Sequence, residues 1–152
     1  MTSAEGSPWG TVEIRFDAIH AYAHKRDVES VKREIESGVN VDFLNGLAEN
    51  GDGGNSAVWF ATQGPWPDGL EVARVLVEAG ADINLICEHG RTPLHMAAAW
   101  GHLDVVQYLV SRGANTAIRD DLDMTPLMLC RTRVEGVSDK SRCDVVSYLE
   151  SL

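Results

Sequence analysis

Between Thr92 and Gly113 the apolar positions fall into two helical registers parted by a glycine. Leu94, Ala97 and Ala98 stand at i, i+3 and i+4 and predict a short helix with a narrow apolar face, whose alanines let a neighbouring helix approach closely. Thr92 supplies a hydroxyl to cap that helix, and Pro93 takes the first helical position, where a missing N–H costs nothing. Gly101 ends it. A second helix is predicted from Leu103 to Ser111, with Val105, Val106, Leu109 and Val110 as its buried stripe and Gly113 as a left-handed cap.

This pattern repeats. Thr92-Pro93-Leu94 returns 33 residues later as Thr125-Pro126-Leu127, and Gly80-Ala81-Asp82 returns after the same interval as Gly113-Ala114-Asn115. The stretch from Gly90-Arg91-Thr92-Pro93-Leu94-His95 through Trp100-Gly101-His102-Leu103-Asp104 to Gly113-Ala114-Asn115 resembles an ankyrin repeat along its whole length. The resemblance implies an all-α fold, a solenoid of stacked helix pairs with projecting turns or short β-hairpin fingers. It covers residues 16–152 as a single ankyrin-repeat domain of four units, 16–42, 54–86, 87–119 and 120–152, behind a polar N-terminal extension over residues 1–15.

The other units are imperfect copies. In the second, Ser56 to Ala61 matches Thr92 to Ala97 at an offset of 36, whereas Leu70 to Asn84 follows at 33, so three extra residues lie in Gln63-Gly64-Pro65-Trp66-Pro67-Asp68. In the fourth, Asp144-Val145-Val146 trails Asp104-Val105-Val106 by 40, which places seven extra residues around Val134 to Ser141. The first unit aligns backwards from Gly38, which sets Asp17 as a helix cap and His20 on His95. The outer face of this unit is polar, as a solenoid's terminal unit must be. The segment Asn45 to Asn55 is too long for a standard finger and reads as a mobile loop.

Charge narrows the class of partner. The chain of 152 residues has a formal charge of −10; residues 1–89 hold 15 acidic and 6 basic groups, residues 90–152 only 8 and 7. Such a surface repels phosphate backbones, so no nucleic-acid partner is expected, and a basic protein is the electrostatic match. No apolar run reaches membrane-spanning length and Met1 to Gly10 is polar, so the expectation is a cytoplasmic protein with no membrane contact. Three scattered cysteines, Cys87, Cys130 and Cys143, argue against a disulfide framework and for reduced thiols at small apolar or half-exposed positions.

Chemistry has few candidates. His20 and His24, at i and i+4, share a helical face as metal ligands do, yet His20 takes the place of His95, which in ankyrin repeats supports the turn by hydrogen bonding. The run Glu49 to Asn55 has the oxygens and glycines of a calcium loop but lacks the EF-hand spacing. No nucleophile elbow, phosphate loop or dinucleotide fingerprint occurs, so no enzyme activity, metal or cofactor is expected.

Surface is what is left. In the family that the chain resembles, partners bind through the fingers and the exposed side of the first helix of each pair. Carried over by position, the partner-binding residues are Trp59 and Gln63 in unit two, Glu88, His89, Arg91 and Trp100 in unit three, and Asp121, Leu122, Met124 and Arg133 in unit four, with Trp66 overhanging from the inserted loop. Trp100 and Trp66 are the candidate anchors, because tryptophan is enriched among residues that dominate binding energy. The expected function is a non-catalytic, monomeric protein–protein interaction module, a stoichiometric binder or immunity-like inhibitor of a basic protein. The alternative is a scaffold or adaptor bridging two proteins, and a metal-binding or enzymatic protein comes third.

Overall fold

The computed structural model describes residues 10–47, 53–66, 68–132 and 134–152. Its helices are α1 (Gly10–Lys25), α2 (Val28–Glu36), α3 (Ala57–Thr62), α4 (Gly69–Glu78), α5 (Pro93–Ala99), α6 (Leu103–Ser111), α7 (Pro126–Arg131) and α8 (Asp139–Glu150). Two short strands, β1 (Asn45–Leu47) and β2 (Gly53–Asn55), pair antiparallel with Asn45 opposite Asn55. Most of these helices have fewer than twelve residues, too few to be stable alone in water, so stacking must supply what length does not.

The local signals sit where the helices start. Ser56, Thr125 and Ser138 each accept a backbone N–H three residues on, at the starts of α3, α7 and α8, and Asp27 does the same for Ser30 at the start of α2. Thr92 and His95 close a capping box around α5, with Pro93 in its first turn. Gly80 and Gly113, both at φ +96°, carry the chain out of α4 and α6 through the left-handed region that glycine alone enters without strain.

Three expectations change. Asp17 is no cap: it lies inside α1, which begins at Gly10, and the helix cap of the first pair is Asp27, ahead of α2. The ends of the Asn45 to Asn55 segment form the β1–β2 hairpin rather than an unpaired loop, while residues 48–52 lie outside the described residues. The insertion of the fourth unit is partly helical, since α8 has 12 residues where α6 has 9.

The helices form two rows. Each first helix touches the next, α1 to α3 to α5 to α7, each second helix does likewise, α2 to α4 to α6 to α8, and each pair packs internally. One buried cluster joins Ile19, Ala23, Val31, Val58, Ala61, Val72 and Leu76, and another joins Val77, Leu94, Ala97, Val105, Val106, Leu109, Cys130 and Val145. Among the described residues no helix is long and apolar enough to cross a membrane.

Leu94 is 1% exposed at the centre of the second cluster, where α5 meets both its neighbours. Leu94→Ala should lower unfolding free energy by about 2–5 kcal/mol in denaturant melts. A loss under about 1 kcal/mol would show that the neighbouring helices close the gap without penalty.

Candidate functional site

The finger of the third unit is a tight turn. Cys87 N–H donates to the Arg91 carbonyl at 2.8 Å and Gly90 N–H returns to the Cys87 carbonyl at 3.1 Å, with His89 and Gly90 both left-handed at φ +60° and +69°. A side chain at position 90 would meet Asp121 Oδ1 at 2.5 Å, so glycine is what lets the fourth finger lie against the third. Asp121 N–H then donates to the His89 carbonyl at 3.0 Å.

Side chains join the fingers further. Arg91 Nε donates to Asp120 Oδ2 at 3.1 Å, and Asp120 Oδ1 accepts the N–H groups of Leu122 and Met124 at 2.9 and 3.0 Å. The Asp120 side chain is 1% exposed. Burial works to raise its carboxyl pKa, but the Met124 N–H, Arg91 and the Leu122 N–H outweigh it and hold the group below the usual carboxylate range. One unit earlier, buried Asn55 accepts the Glu88 N–H and donates to Glu88 Oε2, both at 3.1 Å.

His95 ties the row of helices to the row of fingers. Its Nδ1 accepts the Thr92 N–H at 3.1 Å and its Nε2 donates to the Met124 carbonyl at 3.0 Å, so the ring is the neutral Nε2–H tautomer. Burial, opposed by the Met124 bond and by Asp120, pushes the imidazole pKa below its ordinary value. His20 makes the corresponding bond in the first unit, Nε2 to the Phe43 carbonyl at 2.9 Å.

The expected partner-binding residues separate into three groups. Glu88, His89, Arg91, Asp121, Leu122 and Met124 come together along the finger edge, where Leu122 is 70% exposed and Asp121 and His89 face solvent. Trp59 does not share that surface: it is 8% exposed, packed with Cys87 and Met96, and its buried indole Nε1 has no hydrogen-bond partner. Gln63, Trp66 and Trp100 lie at the opposite end of the helices, beside the turns between first and second helices. Gln63 offers its carbonyl to Arg26 Nη2 at 2.6 Å, Trp66 is 58% exposed beside His24, Lys25 and Asp68, and half-buried Trp100 caps α5. Arg133 lies outside the described residues.

Asn55, whose place in the repeat puts it on the expected contact surface, is instead a buried polar staple. Two residues that build these surfaces escaped the sequence reading. Asp120 is a second buried staple. Arg26 is the other: at φ +60° it takes the left-handed position that Gly101 fills in unit three, and its guanidinium donates to the carbonyls of His24, Phe60 and Gln63, joining the ends of α1 and α3. The signal was an arginine standing where the aligned unit has its turn glycine. Among the described residues no group of three or more His, Cys, Asp and Glu is placed to hold a metal. Burial raises the thiol pKa of Cys87 and Cys130.

The family description "Ankyrin repeats (3 copies)" matches residues 18–120 and 90–149. The chain is 33% identical over 128 residues to the E3 ubiquitin-protein ligase hecd-1 of Caenorhabditis elegans, a match covering 84% of this chain and 4% of that protein. It is 36% identical over 74 residues to ankyrin repeat-containing protein P1E11.10 of Schizosaccharomyces pombe, covering 48% of this chain and 34% of the relative. It is 46% identical over 56 residues to human protein phosphatase 1 regulatory subunit 27, covering 36% of each. The chain thus spans about a third or less of these relatives' lengths.

The buried imidazole sets a pH dependence whose sign follows from its depressed pKa. Below about 6.5 the unfolded chain protonates this histidine while the folded chain holds it neutral, so unfolded molecules bind more protons and stability falls as pH drops. Urea melts of the native protein and His95→Gln at pH 7.5, 6.5 and 5.5 should show a steeper fall in the native protein. They should also show a cost of about 1–3 kcal/mol for the variant at pH 7.5, from bonds imperfectly replaced. Equal pH slopes would contradict a neutral His95.

Proposed function

The chain belongs to the ankyrin-repeat family, and from that premise we propose that it is a stoichiometric binder, and an inhibitor, of a basic protein partner. Ankyrin repeats are protein–protein interaction modules, and the relative named as a phosphatase regulatory subunit is in keeping with a binder that acts on another protein. The similarity to proteins named as a ligase and an asparaginase extends over only 4% and 10% of their lengths, so their names carry no catalytic assignment to this chain.

The observation that carries the proposal is the finger edge. Asn55 with Glu88, Arg91 with Asp120, and His89 with Asp121 lock neighbouring fingers before any partner arrives, so Leu122, Asp121 and His89 are presented on a preorganised edge. Holding contact groups in place beforehand lowers the entropy lost on association. The net charge of −10, most of it in residues 1–89, attracts a basic surface toward the molecule.

A scaffold reading has its own support in the separation of Trp66 and Trp100 from the finger edge, which gives the molecule two places to hold proteins. A single complex containing two different partners at once would favour it.

The partner captured at low salt and identified by mass spectrometry should associate more slowly as ionic strength rises past the point where the Debye length falls below about 8 Å, while dissociation changes less. An on-rate indifferent to salt would remove the basic partner. With that partner, Leu122→Ala, a change on the exposed finger edge, should leave the helical signal intact and weaken binding by about 1 kcal/mol or more. Gln107→Ala, an exposed change on α6, should be silent. Normal binding by Leu122→Ala would place the contact elsewhere.

A further inference from the structure

Two of the departures from the 33-residue period, the insertions within units two and four, meet at one place. The insertion of unit two lies between α3 and α4, that of unit four between α7 and α8, and unit three between them keeps the short turn Trp100-Gly101-His102. Two tall loops beside one short turn leave a groove above it. It encloses about 400 Å³ and is lined by Pro65 on one side, by Gly136, Val137, Ser138 and Ser141 on the other, and by Trp100, Gly101, His102 and Asp104 along its floor.

The walls are fixed to the floor. His102 Nε2 donates to the Gly64 carbonyl at 2.7 Å, which anchors the unit-two loop. The unit-four loop presses on Gly101 so closely that a Cβ there would meet Ser141 Cβ at 2.8 Å and Val137 Cγ1 at 3.1 Å. Ser138 caps α8 and its hydroxyl bonds that of Ser141 at 2.7 Å, holding this wall in shape. Trp100 is steadied from behind by the Trp59, Cys87 and Met96 cluster.

The charge is of one sign. Asp104 lines the groove and Glu135 the adjoining cavity formed with Val134, Gly136 and Val137; among the described residues neither carboxylate is in an ion pair and no lysine or arginine lines either space. Asp104 Oδ1 accepts the Val105 N–H at 2.8 Å, and Oδ2 has no partner among the described residues. A half-exposed indole in the groove that Asp104 lines, with the Glu135 carboxylate in the adjoining cavity, suits one kind of occupant, a flat delocalised cation that stacks on the ring and donates to carboxylates.

We propose that this groove is an arginine-binding site, in which a guanidinium from the protein partner lies against Trp100 and pairs with Asp104 and Glu135. It rests on the reading of a basic partner and gives that partner a second point of attachment, away from the finger edge.

The test uses acetyl-Gly-Arg-Gly-amide as probe and the citrulline tripeptide, nearly isosteric but uncharged, as control, titrated at millimolar concentration into the 15N-labelled chain. The arginine peptide should shift the Trp100 indole N–H and the Gly101 and Gly136 amides saturably, and the citrulline peptide should bind at least fivefold more weakly. Asp104→Asn, which keeps Oδ1 for the Val105 N–H, should weaken the arginine peptide at least threefold with an unchanged circular dichroism spectrum. Trp100→Ala should remove the saturable shifts. Equal binding of the two peptides would overturn the proposal, as would an unaffected Asp104→Asn. Shifts confined to Glu88, Asp121 and Leu122 would overturn the groove yet leave the acidic binder standing. No saturable shift anywhere would also overturn the groove, while the salt dependence of the captured partner's on-rate would judge the binder separately.

Discussion

The architecture depends on one buried imidazole bond. Stacked units bury their apolar faces through leucine, valine and alanine, but such contacts do not fix how each finger sits over the helices. His95 does so: Nδ1 takes up the Thr92 N–H at the start of its own helix while Nε2 reaches the Met124 carbonyl of the next finger. Both partners are backbone groups that would be costly to bury unpaired, so the ring satisfies two obligations at once. The 33-residue period is what brings that carbonyl into range of that ring.

Where the histidine is absent, the join is made another way. Unit two has Trp59 at this position, and the indole N–H is buried without a partner; packing against Cys87, Met96 and Trp100, together with the Asn55 to Glu88 bonds, holds that junction instead. Unit four has Met128, which is 42% exposed. At the opposite end of the helices Arg26 takes the place of a turn glycine and reaches across to the carbonyls at the end of α3. Each substitution changes which surface is rigid and which side chain is left to face solvent.

What could be read from the sequence follows the range of the interaction. Thr92, Pro93, Gly101 and Gly113 act on their own turn, and the apolar stripe of α6 repeats within one helix, so α5 and α6 were legible from local pattern. Asp17 misled because a good capping residue is also tolerated inside a helix, and α1 continues past it to Gly10. The β1–β2 hairpin was hidden because its strands are short and lack the alternating apolar pattern. Glu88, His89, Asp121 and Leu122 reach the finger edge by their position in the repeat, whereas Trp100 closes the far end of α5 and Trp66 is carried by an insertion with no counterpart in the unit. Asn55 and Asp120 looked like surface polar residues. Their burial depends on a neighbour about thirty positions away, which no single stretch reveals.

The result is a module with a preorganised finger edge and, at the far end of its helices, loops that break the repeat and gather around Trp100. Both depend on neighbouring units holding one register, and His95 carries the register between units three and four. A long-range 1H–15N correlation spectrum of the His95 ring, recorded from pH 7.5 to 5.5, tests this most directly. A neutral ring with protonated Nε2 and a bare Nδ1, persisting below the ordinary imidazole pKa of about 6.5, is the result predicted. An Nδ1–H tautomer, or an imidazolium forming at the ordinary pKa, would contradict it.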